Sequence, residues 1–511
     1  MSVSSENNKR IARNTMMLYV RMIVMMVVGF LTVPIVLRNL GVSDYGLYNV
    51  IGGVVAMFSF MRNSMASGTQ RYIAYALGRN DRRLLDDTFH TTLSIFTVFG
   101  IAAFVIVEAA GLWFVNTKMN IPADRLDAAN YVFHLSVLSF VVGILSIPYD
   151  SAVIAHEKMG VYAYVNIFDC VAKMLIALSL AYAPCDRLYF YATLQFMLAV
   201  ALRVFYQVYC RRQFAECRRF RLRWESSLGK RLLRYSCWNM VGALALLGRN
   251  QGLNVIMNMF FGTMLNAAHA IANQVNTVVG GFITSIYTAS RPRITKLYAE
   301  GDIGGMWDLV FRSAKFAFFL LTLLSVPVII ELETLLGWWL GAVPRYTVPI
   351  ATLLLAVTLI ETLTNQLVAA FQAADRIKHY QQYSSTIILM CLPLSYTALR
   401  CWTDNPLAPY TISAALSLLF VVVITCVARK DIALDVPLFI RRVIVPNVLV
   451  FTAAFLTTRC VAGLMQPSVA RVCVTVAVSL SVSCAAIWLV GFDRKEKTFV
   501  KEFVKTKIKK I

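Results

Sequence analysis

Hydrophobic residues in this chain are gathered into long runs separated by short polar segments. The runs extend over residues 16–37, 46–68, 89–115, 129–153, 161–182, 188–209, 236–261, 266–290, 311–336, 347–371, 383–400, 407–428, 443–463 and 470–492. Most contain about 20 residues or more, the length that a helix needs to cross a hydrocarbon core of roughly 30 Å. The pattern predicts an all-α integral membrane protein with about fourteen transmembrane helices.

Lysine and arginine residues concentrate in alternate loops. They precede the first run, follow the second, fill the segment after the sixth and end the chain. This asymmetry is typical of cytoplasmic loops. Both termini are therefore expected in the cytoplasm, with loops 38–45, 116–128 and 401–408 outside. The net charge of +22 is assigned to contacts with anionic membrane lipids, and in part with an anionic cargo, and not with nucleic acid.

The longest loop, residues 211–235, is basic and contains aromatic residues. Its apolar side chains are expected to rest on the cytoplasmic membrane interface: Phe214, Phe220, Leu222 and Trp224. Docking of a lipid headgroup or of cargo is the alternative role for this segment.

The two halves of the chain resemble each other weakly. Displacing the sequence so that Gly41 aligns with Gly262 also aligns Ser64 with Ser285, and the order of spans and loops recurs. This repetition predicts two pseudo-symmetric six-helix lobes in parallel orientation, with a ligand cavity between them. The expected divisions are an N-terminal lobe 1–210, a linker 211–235, a C-terminal lobe 236–428, and two additional helices with a basic tail, 429–511.

Several spans carry asparagine residues on one helix face. These candidates for a polar cavity wall are Asn49, Asn63, Asn250, Asn254, Asn273 and Asn276. Small and amide side chains also hold membrane helices together, so helix packing is the alternative explanation for them.

Basic residues inside the spans are the strongest candidates for a binding site. Arg21, Arg62 and Arg249 have no acid three or four residues away, and a buried guanidinium is costly unless it faces water or a partner. We expect these three to face the cavity and bind an anionic cargo, or else to pair with Glu108 or Glu361.

Two further cations have local explanations. Lys173 is one turn from Asp169, which predicts an ion pair, and Arg203 lies near enough to the cytoplasmic side to snorkel. Both remain candidates for cargo binding. The acids of the spans are taken to be Glu108, Asp169 and Glu361, with Glu331 and Glu333 toward the outer end of theirs. Glu361 and Asp169 are candidates for coupling to H⁺ or Na⁺, or for pairing with a cation.

Three segments resemble the polysaccharide-transporter branch of the multidrug/oligosaccharidyl-lipid/polysaccharide (MOP) superfamily. They are RNLGVSDYGLYNV, SMASGTQRYIAYALGRND and MLNAAHAIANQV with the following RPRITKLYAEGD. The resemblance, to bacterial O-antigen and capsule-type flippases, covers the chain in span number and lobe order. It implies a MATE-like fold of two six-helix lobes plus two C-terminal helices. It also implies cavity arginines, here Arg21, Arg62 and Arg249, that meet a pyrophosphate.

The expected function is that of a flippase. It would move an undecaprenyl-pyrophosphate-linked oligosaccharide from the inner to the outer leaflet of the bacterial cytoplasmic membrane by alternating access, for surface polysaccharide synthesis. A cation-coupled multidrug exporter would want acids in the N-terminal cavity, and a membrane polymerase or ligase would need clustered catalytic residues in an outer loop. The five histidines are dispersed and the eleven cysteines form no CxxC pair. We therefore expect no enzymatic activity, metal site or cofactor.

Overall fold

The computed structural model describes residues 3–41, 44–48, 51, 59–117, 125–183, 186–219, 221, 223–340, 343–493 and 496–498. Within this part of the chain the secondary structure is helical, with no strand. The prediction of an all-α membrane protein is confirmed.

Fourteen long helices lie in the described part of the chain. They are α1 (Val3–Leu40), α2 (Ser59–Gly78), α3 (Arg82–Thr117), α4 (Leu126–Ala155), α5 (Met159–Ser179, extended by the 3₁₀ turn Leu180–Tyr182), α6 (Arg187–Gln213), α7 (Ser226–Phe261), α8 (Thr263–Glu300), α9 (Ile303–Leu340), α10 (Thr347–Asn365 with Leu367–Ala373), α11 (Ile377–Cys401), α12 (Ala408–Ile432), α13 (Val436–Phe439, the π-helical turn Ile440–Ile444 and Val445–Gly463) and α14 (Val469–Ala486 with the π-helical turn Ile487–Gly491).

Eleven of these helices are long and apolar enough to cross a membrane. The other three are α2, α7 and α8, which carry Arg62, Arg249 and most of the candidate asparagines. In α7 and α8, which are long helices, these polar residues reduce the hydropathy, as is expected where a helix faces a cavity or a polar partner and not lipid. The described part of α2 contains only the end of the apolar run 46–68, so its hydropathy does not describe the whole run.

The helices extend well beyond the hydrophobic runs. Helix α8 has 38 residues, or about 57 Å at 1.5 Å per residue, nearly twice the hydrocarbon thickness. Arg291, Arg293 and Lys296, which follow the apolar run 266–290 in the sequence, lie on its last turns. Hydropathy measures the part of a helix that lies in lipid and not its full length. Helix α8 ends where Gly301 adopts a left-handed conformation with φ of 83°.

The chain divides into two compact units by its internal contacts. One is 14–240, and the other combines 241–511 with 1–13. In the first unit α4 packs against α2, α3, α5 and α6, with Tyr149 and Phe133 fully buried in two hydrophobic clusters. In the second unit α13 and α14 pack on α9, and α10 packs between α8 and α12.

Two buried ion pairs attach the C-terminal segment to α9. Glu331, only 1% exposed, accepts hydrogen bonds from Arg471 Nε at 2.9 Å and from Thr475 Oγ1 at 2.8 Å on α14. Lys315, also buried, donates to Glu496 at 2.7 Å. Each charge thereby gains a counter-charge inside the protein, which removes most of the cost of its burial.

The linker folds back onto the first unit, so the expectation that Phe214 rests on the membrane interface is wrong. Phe214 is 4% exposed and stacks on the His156 ring at 4.0 Å. Glu216 lies 2.7 Å from His156, and Arg223 donates to Asp87 at 2.6 Å. Partners on α3 and directly after α4 thus compete with the membrane surface for this segment. Trp224 is exposed, whereas Phe220 and Leu222 lie outside the described residues.

We predict that Arg471→Ala destabilises the protein through Glu331. The change leaves the Glu331 carboxylate buried without a counter-charge, at a cost on the order of 3 kcal/mol. Thermal unfolding of the purified protein should show a lower midpoint for Arg471→Ala, and a second change, Glu331→Gln, should recover part of the loss. The control is Arg459→Ala, since Arg459 is an exposed residue of α13. Equal midpoints for Arg471→Ala and Arg459→Ala would contradict this assignment.

Candidate functional site

The first unit contains a cavity of about 540 Å³. Its described walls come from α2, α4, α5 and α6, together with Tyr48, whereas α3 contributes none of the lining residues. Small residues on the cavity side of α4 leave the space open, among them Ser136, Ser139 and Gly143. The volume falls within the roughly 300–1,000 Å³ that is common for small-molecule sites.

Arg62 on α2 opens directly into this cavity. Its side chain is exposed, and its Nη1 lies 3.3 Å from the position that a Cβ on Gly143 would occupy. The glycine therefore leaves space for the guanidinium against α4. Among the described residues, no acid lies within ion-pair distance of Arg62. A guanidinium in a span without an ion-pair partner among the described residues is the feature that requires explanation.

Asp150 on α4 is a cavity residue that the sequence interpretation missed. It lies two helical turns from Gly143, its Oδ1 is buried, and that oxygen has no hydrogen-bond partner in the described structure. Arg62 and Arg203 interact with this carboxyl group electrostatically. The predicted run 129–153 contains Asp150, but this residue was not counted among the acids of the spans. The available signal was an acid three residues before the end of an apolar run.

The ion pair predicted between Lys173 and Asp169 is confirmed. Lys173 Nζ lies 2.8 Å from Asp169 Oδ2, and both residues line the cavity. The spacing of four residues places both side chains on one helix face, so the sequence alone was sufficient to predict the pair.

Arg21 and Arg203 each lie over a tyrosine ring. The Arg21 guanidinium is 5.0 Å from the centre of Tyr162, which itself lines the cavity. Arg203 is 4.3 Å from the centre of the Tyr149 ring and donates to Gln207 at 3.1 Å. Neither arginine is part of the cavity lining among the described residues. Cation–π contacts stabilise such charges by about 0.5–2 kcal/mol and leave the charge itself intact.

Arg249 of the second unit has an acidic partner, Glu361. Arg249 Nη1 lies 2.9 Å from Glu361 Oε1, which also accepts from Ser417 Oγ at 3.2 Å. Arg249 is 14% exposed. The arrangement matches the alternative in which Arg249 pairs with Glu361, and it joins a candidate cargo ligand to a candidate ion-coupling residue.

The candidate asparagines are divided between different surroundings. Asn63 lines the cavity of the first unit. In the second unit Asn276 accepts from Thr358 at 2.8 Å, a contact between α8 and α10. Asn250 is exposed, Asn273 is half-buried, and Asn254 has a buried Oδ1 without a partner among the described residues. Asn49 lies outside the described residues. Asn276 therefore follows the packing explanation.

We predict that Arg249→Ala lowers the amount of folded protein, because it leaves the Glu361 carboxylate inside the second unit without its ion-pair partner. Removal of one partner of a buried pair costs about 3–5 kcal/mol. Adding Glu361→Gln should restore the folded amount, measured by fluorescence-detected size-exclusion chromatography. A normal yield of the single variant, or no recovery in the double variant, would contradict a structural pairing.

Comparison with known proteins gives a family and a fold. The sequence profile of the family described as polysaccharide biosynthesis protein matches residues 11–298. The uncharacterized membrane protein EpsK of Bacillus subtilis (strain 168) is 19% identical over 293 residues, 57% of this chain. The matched segment also spans 57% of that relative.

Solved structures of MATE transporters have the same fold. An outward-facing multidrug resistance MATE family transporter of the MOP superfamily is similar with a TM-score of 0.70 at 14% identity, over 84% of this chain and 96% of its own. A MOP superfamily transporter from Pyrococcus furiosus, described as having a binding pocket of reversed polarity, has a TM-score of 0.68 at 12% identity, over 85% and 96%. The chain therefore belongs to the family of polysaccharide biosynthesis proteins and is a multi-pass membrane protein with the fold of the MATE transporters.

Proposed function

We propose that this protein is a flippase for a polyprenyl-pyrophosphate-linked oligosaccharide. It would carry the headgroup from the inner to the outer leaflet of a bacterial cytoplasmic membrane, with both termini cytoplasmic. The observation that carries the proposal is Arg62, a guanidinium that opens into a cavity and has no ion pair among the described residues.

The chemistry of such a cargo matches Arg62. A diphosphate cannot cross hydrocarbon without compensation of its charge, and an arginine fork binds phosphate oxygens through two parallel hydrogen bonds. An arginine already neutralised by a protein acid, as Arg249 is, would have to lose that partner first. Arg62 does not. Arg21 and Arg203, which lie over tyrosine rings, add positive charge and have no direct acidic partner among the described residues.

The remainder of the cavity wall suits a sugar. It contains neutral donors and acceptors, Asn63, Gln70 and Gln195, and the hydroxyl groups of Ser136 and Ser139. Uncharged polar groups of this kind can replace the hydration of sugar hydroxyls. The aromatic rings in the wall provide flat apolar surfaces for the faces of a sugar ring.

The polyprenyl tail imposes a different requirement. It is soluble in the bilayer core and need not enter the cavity, whereas the headgroup needs a polar environment throughout its passage. The site must therefore face each side of the membrane in turn, as in alternating access. The sequence contains no GxxxxGK[ST] motif, so we assign the driving force to an ion gradient, the membrane potential or consumption of the product.

The rival function within the superfamily is export of cationic drugs. One observation favours it: Asp150 and Asp169 both line the cavity. Asp169 is already paired with Lys173, and Asp150 lies under the influence of Arg62 and Arg203. The cavity therefore offers Arg62 to an anionic ligand more directly than it offers either aspartate to a cationic one.

The first test is Arg62→Ala. It removes the bidentate phosphate contact, a charged hydrogen bond with a value of about 1.5–3 kcal/mol, and should lower transport of a lipid-linked oligosaccharide in proteoliposomes at least about tenfold. Arg62→Lys should retain part of the activity because it keeps the charge but not the fork. The control is Arg38→Ala, an exposed arginine at the end of α1. Unchanged transport by well-folded Arg62→Ala would overturn the proposal, and Arg62-independent binding of a cationic dye would favour the exporter.

The second test leaves every charge in place. Gly143→Leu would fill the space that the Arg62 guanidinium occupies, since even a Cβ there lies 3.3 Å from Nη1. Transport should fall as in Arg62→Ala while protein yield stays near normal, because the added side chain points into the cavity. The matched control is Gly29→Leu on α1, where nothing lies within 4 Å of the position that a Cβ would occupy. Full transport by Gly143→Leu would show that the position of Arg62 against α4 is unimportant.

A further inference from the structure

We infer that Asp150 is a proton-binding site whose protonation is coupled to capture of the cargo diphosphate by Arg62. The inference rests on the proposed function and adds to it the residue that links a proton to the cargo. Asp169 and Glu361 are the acids chosen from the sequence for ion coupling. Each of them already forms an ion pair with a basic residue, so neither is assigned this role.

The geometry separates Asp150 from the other acids of the described spans that are buried or half-buried. Its Oδ1 is buried and receives no hydrogen bond from any described residue. Glu108 contacts His134, Asp169 contacts Lys173, Glu331 contacts Arg471 and Glu361 contacts Arg249. Asp150 lacks such a contact and depends on charges that lie farther away.

The surroundings of Asp150 contain several charged and titratable groups. Arg62 approaches from α2, Arg203 and Tyr206 from α6, and the Lys173–Asp169 pair with Tyr162 from α5. Arg21 on α1 acts on Tyr206, and α3 contributes no described residue to the cavity wall. The positive charges of Arg62 and Arg203 are what favour the carboxylate, because burial opposes it.

Binding of a diphosphate alters this balance in one direction. The phosphates neutralise Arg62 and bring negative charge into the same cavity, so the Asp150 carboxylate loses stabilisation and gains a repulsive neighbour. Proton uptake by Asp150 relieves both effects. Cargo binding and protonation therefore favour each other, by the reciprocity of linked equilibria.

The sign of the pH dependence follows. A proton taken up on binding makes the affinity highest at low pH, where Asp150 is already protonated. The affinity then falls by up to about tenfold per pH unit as the free protein loses that proton. Protonation of the diphosphate itself acts in the opposite direction, because it reduces the charge that Arg62 binds. Comparison with an Asp150 variant separates the two effects.

The experiment is calorimetric titration of the purified protein with farnesyl pyrophosphate, in two buffers that differ in ionisation enthalpy. Wild type should take up more protons per ligand than Asp150→Asn, by up to one. Asp150→Asn should bind more tightly than wild type at alkaline pH and show only the pH dependence of the ligand. Glu108→Gln, a neutralised acid that does not line the cavity, should behave as wild type.

The outcomes distinguish the two proposals. Binding with equal proton uptake by wild type and Asp150→Asn overturns the role of Asp150 and leaves the proposed function standing. Absence of binding by every form overturns the pyrophosphate site and with it the coupling. If Asp150→Asn does not fold, infrared difference spectra of wild type labelled with ¹³C-aspartate decide the matter. A protonated aspartic acid band that appears on ligand addition supports the inference, and its absence refutes it.

Discussion

A guanidinium or ammonium group inside hydrocarbon must find water, a counter-charge or a polarisable ring, and this requirement determines much of the described structure. Arg249 and Arg471 have acidic partners from other helices, and Lys173 has one from its own. Arg21 and Arg203 lie on tyrosine rings. Arg62 has neither a paired acid nor a ring contact among the described residues and instead opens into a cavity. The exception to the pairing rule is therefore the residue to which we assign cargo binding.

The two units satisfy this requirement in different ways. In the second unit, ion pairs join helices: Glu361 connects α7 with α10, and Glu331 connects α9 with α14. Such pairs fix helix positions, because separating the two residues would leave a buried charge without its counter-charge. In the first unit Arg21, Arg62 and Arg203 have no ion-pair partner among the described residues, and Arg62 lines a cavity whose wall also contains Asp150. We therefore assign different roles to the two units, with ion pairs that hold helices together in the second and the proposed ligand binding in the first.

Hydropathy was sufficient to predict the helices but not the partners of their charges. Each of the fourteen apolar runs overlaps a described helix, since burial in lipid requires a continuous apolar segment. The pair Lys173–Asp169 was also predictable, because helix geometry joins residues four apart. Arg249 and Glu361 are separated by 112 positions, and only the packing of α7 with its neighbours brings them together. Asp150 lies inside the predicted run 129–153 and was missed, because the sequence alone does not show whether an acid near the end of a run faces a cavity or the membrane surface. Phe214 was misplaced because a sequence does not show that His156 offers it a stacking partner.

The most direct test of cargo binding by Arg62 is an experimental structure of the protein with a bound prenyl pyrophosphate, by cryo-electron microscopy in lipid nanodiscs. We expect diphosphate density in the cavity of the first unit, within hydrogen-bond distance of the Arg62 guanidinium and beside Gly143, with Arg249 still paired to Glu361. Density for the diphosphate at another place, with Arg62 turned away from it, would contradict the central claim.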